Sequence, residues 1–214
     1  HRAAGMDLRV GVQSGAMQID GPRLMAIEVD GAPQPIDLLL LGIGAVPETA
    51  LAEAAGLECA DGIVVDAYMQ TSDERVLAVG DCTRFPDRRA GQALRLESVQ
   101  NANDQARTAV ATLTGAPRPH DAVPWFWSDQ GSLRLQMAGL VPAPGAPGHV
   151  TVRRPGASAA AFSLLHYVDG QLRCVESVNA PVDHMMSRKL LEAGRSPDPA
   201  VAADPAVPLK THLA

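Results

Sequence analysis

The sequence predicts an α/β segment over residues 1–115 and an α+β segment over residues 118–214. Three observations lead to this fold class. The first part mixes strand-like and helix-like patterns, although it has too few helices for a complete doubly wound sheet. Residues 116–119 (Ala-Pro-Arg-Pro) are typical of a linker, and short apolar segments joined by turns fill the second part. The chain has 214 residues, of which 46% are hydrophobic, which is enough to bury a substantial core.

Composition excludes several classes of function. The net charge of −6 and the aromatic content of 3% argue against a nucleic-acid-binding protein, which needs a basic face and aromatic stacking platforms. The longest apolar run, residues 36–43, contains Asp37 and is too short to cross a membrane. Three separated cysteines (Cys59, Cys82 and Cys174) and six histidines show no metal-ligand or disulfide spacing. We therefore expect no metal site, reduced thiols and a cytoplasmic location.

The first part of the chain begins with β-structure. Residues 8–12 alternate between apolar and polar, residues 24–29 form a second apolar stretch, and Asp20-Gly21-Pro22 between them is a turn signal. The run Ile36–Leu41 is apolar on both faces, which predicts a buried parallel strand.

Shorter elements follow. Residues 48–55 predict a helix that ends at Gly56. Ile63–Val65 and Val76–Val79 predict two short strands, with a polar loop over residues 69–73 between them.

The clearest helix is predicted over residues 98–113. Ser98 suits the N-cap position, and Gly115 suits the C′ position just after the end. Six apolar residues share one face at helical spacing: Val99, Ala102, Ala106, Ala109, Val110 and Leu113.

The second part reads as antiparallel strands followed by a helix. The predicted strands are Leu133–Gly139, His149–Arg153, Ala160–Tyr167 and Gln171–Val178. A helix is predicted over residues 181–193, ending at Gly194, and the Pro-rich and Ala-rich tail over residues 196–206 is expected to be extended on the surface.

Two glycine motifs could bind a ligand. Gly42-Ile43-Gly44 follows an apolar run, but Pro47 stands where a dinucleotide fingerprint needs its third glycine, so the motif favours a plain crossover. Gly80-Asp81 ends a predicted strand, where Gly80 would let a ligand approach the backbone and Asp81 could accept hydrogen bonds from sugar-like hydroxyls. The alternative for Gly80-Asp81 is an Asx-turn at a strand end.

Two further motifs flank the predicted linker. Glu97-Ser98-Val99 opens the clearest helix, whose free N–H groups and dipole favour a negatively charged group; the alternative is an ordinary capped helix. Trp125-Phe126-Trp127 gathers three bulky aromatics in a chain poor in them, which indicates either a core wedge or a recognition surface.

Together the motifs resemble the FAD-dependent ferredoxin reductases over essentially the whole chain. The Trp-Phe-Trp-Ser-Asp-Gln string is specific to that resemblance, whereas Gly-Asp occurs in many glutathione-reductase-like flavoproteins. The matching segments are Gly-Ile-Gly-Ala-Val-Pro (42–47), Gly-Ile-Val-Val-Asp-Ala-Tyr-Met-Gln-Thr-Ser (62–72), Val-Gly-Asp-Cys (79–82), Glu-Ser-Val-Gln-Asn-Ala-Asn-Asp-Gln-Ala-Arg (97–107), Pro-Trp-Phe-Trp-Ser-Asp-Gln (124–130) and Val-Pro-Leu-Lys (207–210).

The resemblance implies an activity and a domain order. NAD(P)H would reduce FAD by hydride transfer, and the flavin would pass single electrons to a [2Fe–2S] ferredoxin that serves a cytochrome P450 or a dioxygenase. Residues 1–44 would end a Rossmann-like NAD(P)-binding domain, residues 45–116 would be the returning segment of a Rossmann-like FAD-binding domain, and residues 117–214 would form an α+β reductase C-terminal domain.

The resemblance also implies roles for individual residues, none of them a catalytic side chain. Gly80 and Asp81 would lie at the ribityl chain of FAD, and the backbone N–H of Val99, next to the N-cap residue Ser98, would reach the pyrimidine edge of the flavin. Glu97 would lie near the nicotinamide. Trp127 would sit beside the isoalloxazine near a docking surface that includes Trp125 and Arg107. Five arginines make residues 81–107 locally basic, which suits an acidic ferredoxin: Arg84, Arg88, Arg89, Arg95 and Arg107.

The sequence departs from the family because neither of its two glycine-rich fingerprints, for FAD and for NAD(P)H, is present. With His1 rather than Met at the start, this predicts the C-terminal half of a longer reductase, inactive by itself. Such a half would self-associate or pair with the missing half through exposed faces near Ile63–Val65 and Val76–Val79. The alternative is a non-catalytic docking or dimerisation module. A reductase that serves rubredoxin is disfavoured by the Trp-Phe-Trp domain.

Overall fold

The structure is a computed structural model that describes residues 1–213. The chain forms two compact units, His1–Val46 and a larger one that begins at Pro47. Among the described residues no helix is long and apolar enough to cross a membrane.

The first unit is a three-stranded antiparallel sheet of β1 (Ser14–Asp20), β2 (Arg23–Val29) and β3 (Ala32–Pro35). β2 confirms the predicted strand at residues 24–29. A two-residue turn at Asp30-Gly31, both with positive φ, joins β2 to β3, which is the geometry that Asp-Gly favours in hairpins.

Two strand predictions in this unit are wrong. Residues 8–12 lie outside the strands, and so does Ile36–Leu41, in which Leu38 and Leu40 are 84% and 90% exposed. A parallel strand exists only where neighbouring strands pair with it and helices cover its faces. Within residues 1–213 no strand pairs with Ile36–Leu41.

The first part of the second unit surrounds a small core. It contains α1 (Ala50–Ala54), β4 (Ile63–Val64), β5 (Thr83–Asp87), β6 (Gln92–Leu94) and α2 (Val99–Leu113). β4 pairs parallel to β5, and β5 pairs antiparallel to β6. Val65, Met69, Phe85 and Ala109 form the core cluster.

Of the two short strands predicted in this part, one is confirmed and the other is wrong. Ile63–Val65 is confirmed as β4, although Val65 is buried rather than exposed. Val76–Val79 makes only one isolated bridge, between Leu77 and Gln70, so that strand prediction is wrong; Val76 and Val79 are nevertheless partly exposed. β5 was missed because Pro86 stands inside it and removes a ladder donor.

Helix α2 confirms the predicted boundaries. The Oγ of Ser98 accepts a hydrogen bond from the N–H of Asn101 at 3.1 Å, and Gly115 has a φ of +75° just past the end. The apolar pattern nevertheless does not mark its buried side. Val99, Val110 and Leu113 are 58–72% exposed. Of the six apolar residues on the predicted face only Ala109 is buried, and the other buried residues of the helix are the polar Asn101, Gln105 and Thr108.

The second part of this unit is a five-stranded antiparallel sheet. The strands are β7 (Trp125–Gln130), β8 (Leu133–Gly139), β9 (His149–Pro155), β10 (Phe162–Val168) and β11 (Gln171–Val178), in the order β7-β8-β11-β10-β9. Four of the five were predicted, and β7, the Trp-Phe-Trp segment, was not. The predicted helix at 181–193 is α3 (Pro181–Glu192), which packs on β8 and β11.

The C-terminal tail is part of the core rather than an extended surface segment. It contains α4 (Pro199–Ala203) and a 3-10 helix (Leu209–Leu213), and the Asp198 carboxylate caps α4. Two tail residues, Ala202 and Leu209, join the buried cluster of Leu165, Tyr167, Leu172, Val175 and Leu190. The prediction of an extended surface tail is therefore wrong, because apolar side chains spaced along this Pro-rich segment pack into the buried cluster.

Candidate functional site

Three segments predicted for binding, the Gly80-Asp81 loop, helix α2 and strand β7, are joined at one junction in the second unit. Two side-chain amides of α2 build it. Oε1 of Gln105 accepts a hydrogen bond from the N–H of Gly80 at 2.6 Å, and Oε1 of Gln100 accepts one from the N–H of Trp125 at 3.1 Å. The Gly80-Asp81 loop, the start of α2 and strand β7 are therefore neighbours.

Gly80 is held in a conformation that favours glycine. It is buried with a φ of +90°, and a Cβ built there would lie 3.8 Å from the Cβ of Ala102, so conformation rather than space selects glycine. The Thr83 hydroxyl lies 2.8 Å from the Gly80 carbonyl oxygen and 3.0 Å from Oε1 of Gln105. These contacts fix the backbone from which the exposed Asp81 projects.

The first turn of α2 offers backbone donors. The Ser98 hydroxyl caps the N–H of Asn101, and helix geometry gives the N–H groups of Val99 and Gln100 no intrahelical acceptor. Val99 is 66% exposed, so this helix end faces open space. The partial positive charge of the helix end can stabilise an anionic group placed there.

Glu97 is engaged by a neighbour within the chain. Its carboxylate forms an ion pair with Arg95, whose guanidinium also lies 3.4 Å from Asp61. Arg95 is well covered, and its ion pair with Glu97 raises the pKa of Arg95. The negative charge of the Glu97 carboxylate is therefore balanced by the Arg95 guanidinium.

The two tryptophans of β7 have different surroundings. Their ring centroids are 5.5 Å apart, and the Arg188 guanidinium of α3 lies 4.4 Å from the centre of the Trp125 ring. The His184 ring is 5.7 Å from Trp125. Trp125 is thus packed between α2 and α3, whereas Trp127 is 43% exposed and presents an aromatic surface.

A groove of about 350 Å³ runs beside these tryptophans. It joins the open end of α2 to the exposed Trp127 ring and to arginine side chains. Its lining residues are Val99, Gln100, Asn103, Asp104, Arg107, Trp125, Trp127 and Arg188.

The local positive charge predicted for residues 81–107 is balanced within the chain. Arg107 lies 2.5 Å from Asp104, one helical turn away. The other four arginines each have a carboxylate within 4.0 Å: Arg84 and Arg95 meet Asp61, and Arg88 and Arg89 meet Asp121. Ion pairing with Arg88 and Arg89 lowers the pKa of Asp121.

Sequence reasoning missed three residues that build the junction: Gln100, Gln105 and Arg188. Gln100 and Gln105 belong to the 97–107 motif, but no feature of the neighbouring sequence distinguishes a buried glutamine from a solvated one. Arg188 carried no signal, because its contact with Trp125 joins separate elements of the fold.

Comparison with known proteins identifies the class. A family model described as "Pyridine nucleotide-disulphide oxidoreductase" matches residues 1–106, and one described as "Reductase C-terminal" matches residues 125–213. The chain belongs to the FAD-dependent ferredoxin reductase family.

Individual relatives agree with this. The chain is 38% identical over 218 residues to putidaredoxin reductase of Pseudomonas putida, covering 100% of this chain and 50% of the relative. It is 45% identical over 178 residues to rhodocoxin reductase of Rhodococcus erythropolis, covering 83% of this chain and 41% of the relative. The chain therefore spans about half the length of the curated relatives it matches.

Solved structures give the same result. A ferredoxin reductase for the CYP199A2 system from Rhodopseudomonas palustris matches with a TM-score of 0.92 and 41% identity, over 100% of this chain and 52% of that one. The reductase chain of a covalent putidaredoxin reductase–putidaredoxin complex matches with a TM-score of 0.90 and 36% identity, over 99% and 51%. The predicted fold class is confirmed.

Proposed function

We propose that the protein carrying this chain is an NAD(P)H:ferredoxin oxidoreductase. It takes a hydride from NAD(P)H onto FAD and passes single electrons to a [2Fe–2S] ferredoxin, which serves a cytochrome P450 or a dioxygenase. One observation carries the proposal: the junction of the Gly80-Asp81 loop, the open end of α2 and the exposed Trp127, in a chain similar to ferredoxin reductases over its whole length.

The junction suits a flavin. Asp81 projects from the fixed Gly80 backbone and would accept hydrogen bonds from the ribityl hydroxyls, while the N–H of Val99 would donate to the pyrimidine edge. When bound, FAD supplies the acceptor for hydride and the donor of single electrons. The open end of α2 would stabilise negative charge on the reduced cofactor, and Trp127 would shield one ring face from water.

The groove suits an acidic protein partner. Trp127 offers an exposed aromatic anchor, and Arg107 stands exposed on the same groove. Because Arg107 is already paired with Asp104, attraction of a ferredoxin would depend on competition for that guanidinium. We therefore expect electrostatic steering to be modest and sensitive to salt.

The domain assignment of 1–44, 45–116 and 117–214 remains part of this proposal. The start of the second unit at Pro47 and the start of the reductase C-terminal match at residue 125 support it. Because the two glycine-rich fingerprints are missing from these 214 residues, the chain alone would bind the ADP half of FAD poorly and be inactive.

The exposed apolar side chains favour pairing with another polypeptide segment. Leu38, Leu40 and Ile43 in the first unit, and Leu113 on α2, are more than 70% exposed. The isolated 214 residues should therefore self-associate or pair with the remaining half of the reductase. A monodisperse monomer in solution scattering would contradict this expectation.

The test is ferredoxin reduction by the purified, flavin-loaded full-length protein that carries this chain, with matched variants of β7. Phe126 is 41% exposed, like Trp127, but points to the opposite face of the sheet. We expect Trp127→Ala to lower the rate with ferredoxin by about tenfold while reduction of ferricyanide is kept, and Phe126→Ala to change both by less than about twofold.

The outcomes separate the candidate functions. A full-length protein that binds no flavin, or one that oxidises NAD(P)H but reduces no [2Fe–2S] ferredoxin, would refute the proposal. The first result would favour the non-catalytic docking module. If Trp127→Ala and Phe126→Ala lowered the rate of ferredoxin reduction equally, the role of the groove in docking would be refuted, but the reductase activity would not.

A further inference from the structure

A second cluster of functional side chains lies on the five-stranded sheet, among residues that the proposed function does not use. Thr151 on β9 pairs directly with His166 on β10, and His149 stands two residues earlier on the same face of β9. The strand register therefore brings two imidazoles and a hydroxyl together, although the histidines are 17 residues apart in sequence.

Three atoms of this cluster form a nearly equilateral triangle. Nε2 of His149 and Nδ1 of His166 are 3.2 Å apart, and Oγ1 of Thr151 is 3.2 Å from the first and 3.1 Å from the second. Donor atoms bound at about 2.1 Å to a single tetrahedral or octahedral ion lie about 3.0 to 3.4 Å from one another. The triangle has the dimensions of one face of a metal coordination sphere.

A carboxylate orients one of the imidazoles. Oε2 of Glu176 on β11 lies 2.8 Å from Nε2 of His166. When Nε2 carries the proton and donates a hydrogen bond to this carboxylate, Nδ1 is left with its lone pair directed at His149 and Thr151. Carboxylates that hold the far nitrogen of a ligating histidine are typical of metal sites, where they fix the tautomer and raise the basicity of the ligand.

The cluster is both preorganised and accessible. His166 is 6% exposed and His149 is half-buried, so their rotamers are restrained, while Thr151 is exposed. An ion bound to the triangle would keep open positions for water. Among residues 1–213, no group of three or more His, Cys, Asp or Glu side chains could hold a metal. The triangle is of a different composition, because its third ligand is the Thr151 hydroxyl.

We propose that His149, His166 and Thr151 bind a divalent transition-metal ion of the nickel, copper and zinc group, with Glu176 as the positioning residue. Imidazole nitrogen suits these ions and does not suit Mg²⁺ or Ca²⁺, which take oxygen ligands. The bound ion would join edge strand β9 to β10 and stabilise the sheet. The inference does not depend on the proposed ferredoxin reductase activity.

Titration with Zn²⁺ alone tests the site by isothermal calorimetry and by thermal unfolding of the purified protein, prepared without a polyhistidine tag. We expect one saturable equivalent of Zn²⁺, a rise in unfolding temperature, and no response to Mg²⁺. His149→Gln should weaken binding by at least about tenfold, and Glu176→Gln by about tenfold.

Control variants keep the test decisive. His212→Gln removes a histidine from the C-terminal 3-10 helix and should leave Zn²⁺ binding unchanged. If His166→Gln fails to fold because this residue is buried, His149→Gln and Thr151→Val on the more open β9 still report on the site. Absence of saturable binding, or equal binding by His149→Gln and the unaltered protein, would overturn the proposal in favour of a plain hydrogen-bond network.

Discussion

The backbone N–H of Gly80 donates a hydrogen bond to Oε1 of Gln105 at 2.6 Å, and this contact joins the Gly80-Asp81 loop to the middle of α2. The two residues are 25 positions apart. Gln105 is fully buried, and within residues 1–213 its Nε2 has no hydrogen-bond partner. The Gln105 side chain therefore acts here through its oxygen, Oε1, which also lies 3.0 Å from the Thr83 hydroxyl.

Replacing Gln105 by Ala should destabilise the second unit by about 2 kcal/mol, because the buried N–H of Gly80 would lose its acceptor. Asn103→Ala is the matched control, since Asn103 is an exposed amide on the same helix. It should change stability by less than about 0.5 kcal/mol. Urea unfolding followed by tryptophan fluorescence measures both. Similar losses for the two variants would contradict a specific role for Gln105.

Replacing Val99 by Pro tests whether its N–H serves the flavin. Proline is well tolerated at the first helical position, and the extended Ser98 before it suits a following proline. The variant should fold but lose one donor to the reduced cofactor, so the flavin midpoint potential should fall by about 30 to 60 mV. Val99→Ala, which keeps the N–H, should leave the potential unchanged. Equal potentials for the proline and alanine variants would exclude this role.

His184 should make the stability of the second unit depend on pH. Burial, followed by the nearby charges of Arg188 and Arg134, lowers the pKa of His184 to about 4. Its pKa is about 6.5 when unfolded, so the unfolded chain binds more protons between these values. Stability is therefore full above about pH 6.5 and falls by about 3 kcal/mol as the pH drops through about 4.

The comparison variant for His184 is His184→Phe. It keeps an aromatic ring beside Trp125 and removes two ring nitrogens that lack partners in the described chain. Subtracting its pH profile from that of the unaltered protein cancels the contribution of the carboxylates. The difference should be confined to the range between about pH 4 and pH 6.5. Parallel profiles would show that His184 does not titrate as expected.

Arg154 should be essential to the C-terminal tail. It is 5% exposed, and its guanidinium donates to the carbonyl oxygens of Ala202, Asp204 and Val207 at 2.6–3.1 Å. It also forms an ion pair with Asp183 at 3.2 Å. Arg154→Met would leave these three carbonyls without this donor and the half-buried Asp183 carboxylate without its cation, and should cost about 3 to 5 kcal/mol.

The neighbouring Arg153 provides the control. It is exposed and stacks on the Phe162 ring at 4.7 Å. Arg153→Met should cost less than about 1 kcal/mol. Thermal unfolding and limited proteolysis of the tail distinguish the two variants. A tail that is equally resistant to protease in both would show that the buried apolar contacts of Ala202 and Leu209 hold it without Arg154.

Local signals account for what could be predicted. The Ser98 cap, the Gly115 terminus and the helical spacing of apolar residues located α2. Apolar segments bounded by turns located β8 and β11. Caps, turns and side-chain periods act between residues close in sequence. The same signals failed for Ile36–Leu41, whose run of apolar residues describes a strand only when other strands flank it.

The sequence by itself determined the fold class, the family and the motifs that take part in the candidate flavin junction. The tertiary structure alone decided that α2 buries Gln105 rather than Val110, that Trp125 is half-buried while Trp127 is exposed, and that His149 meets His166. These are contacts between residues distant in the chain. Their free energy depends on which surfaces the fold brings together, and no local period or propensity encodes that choice.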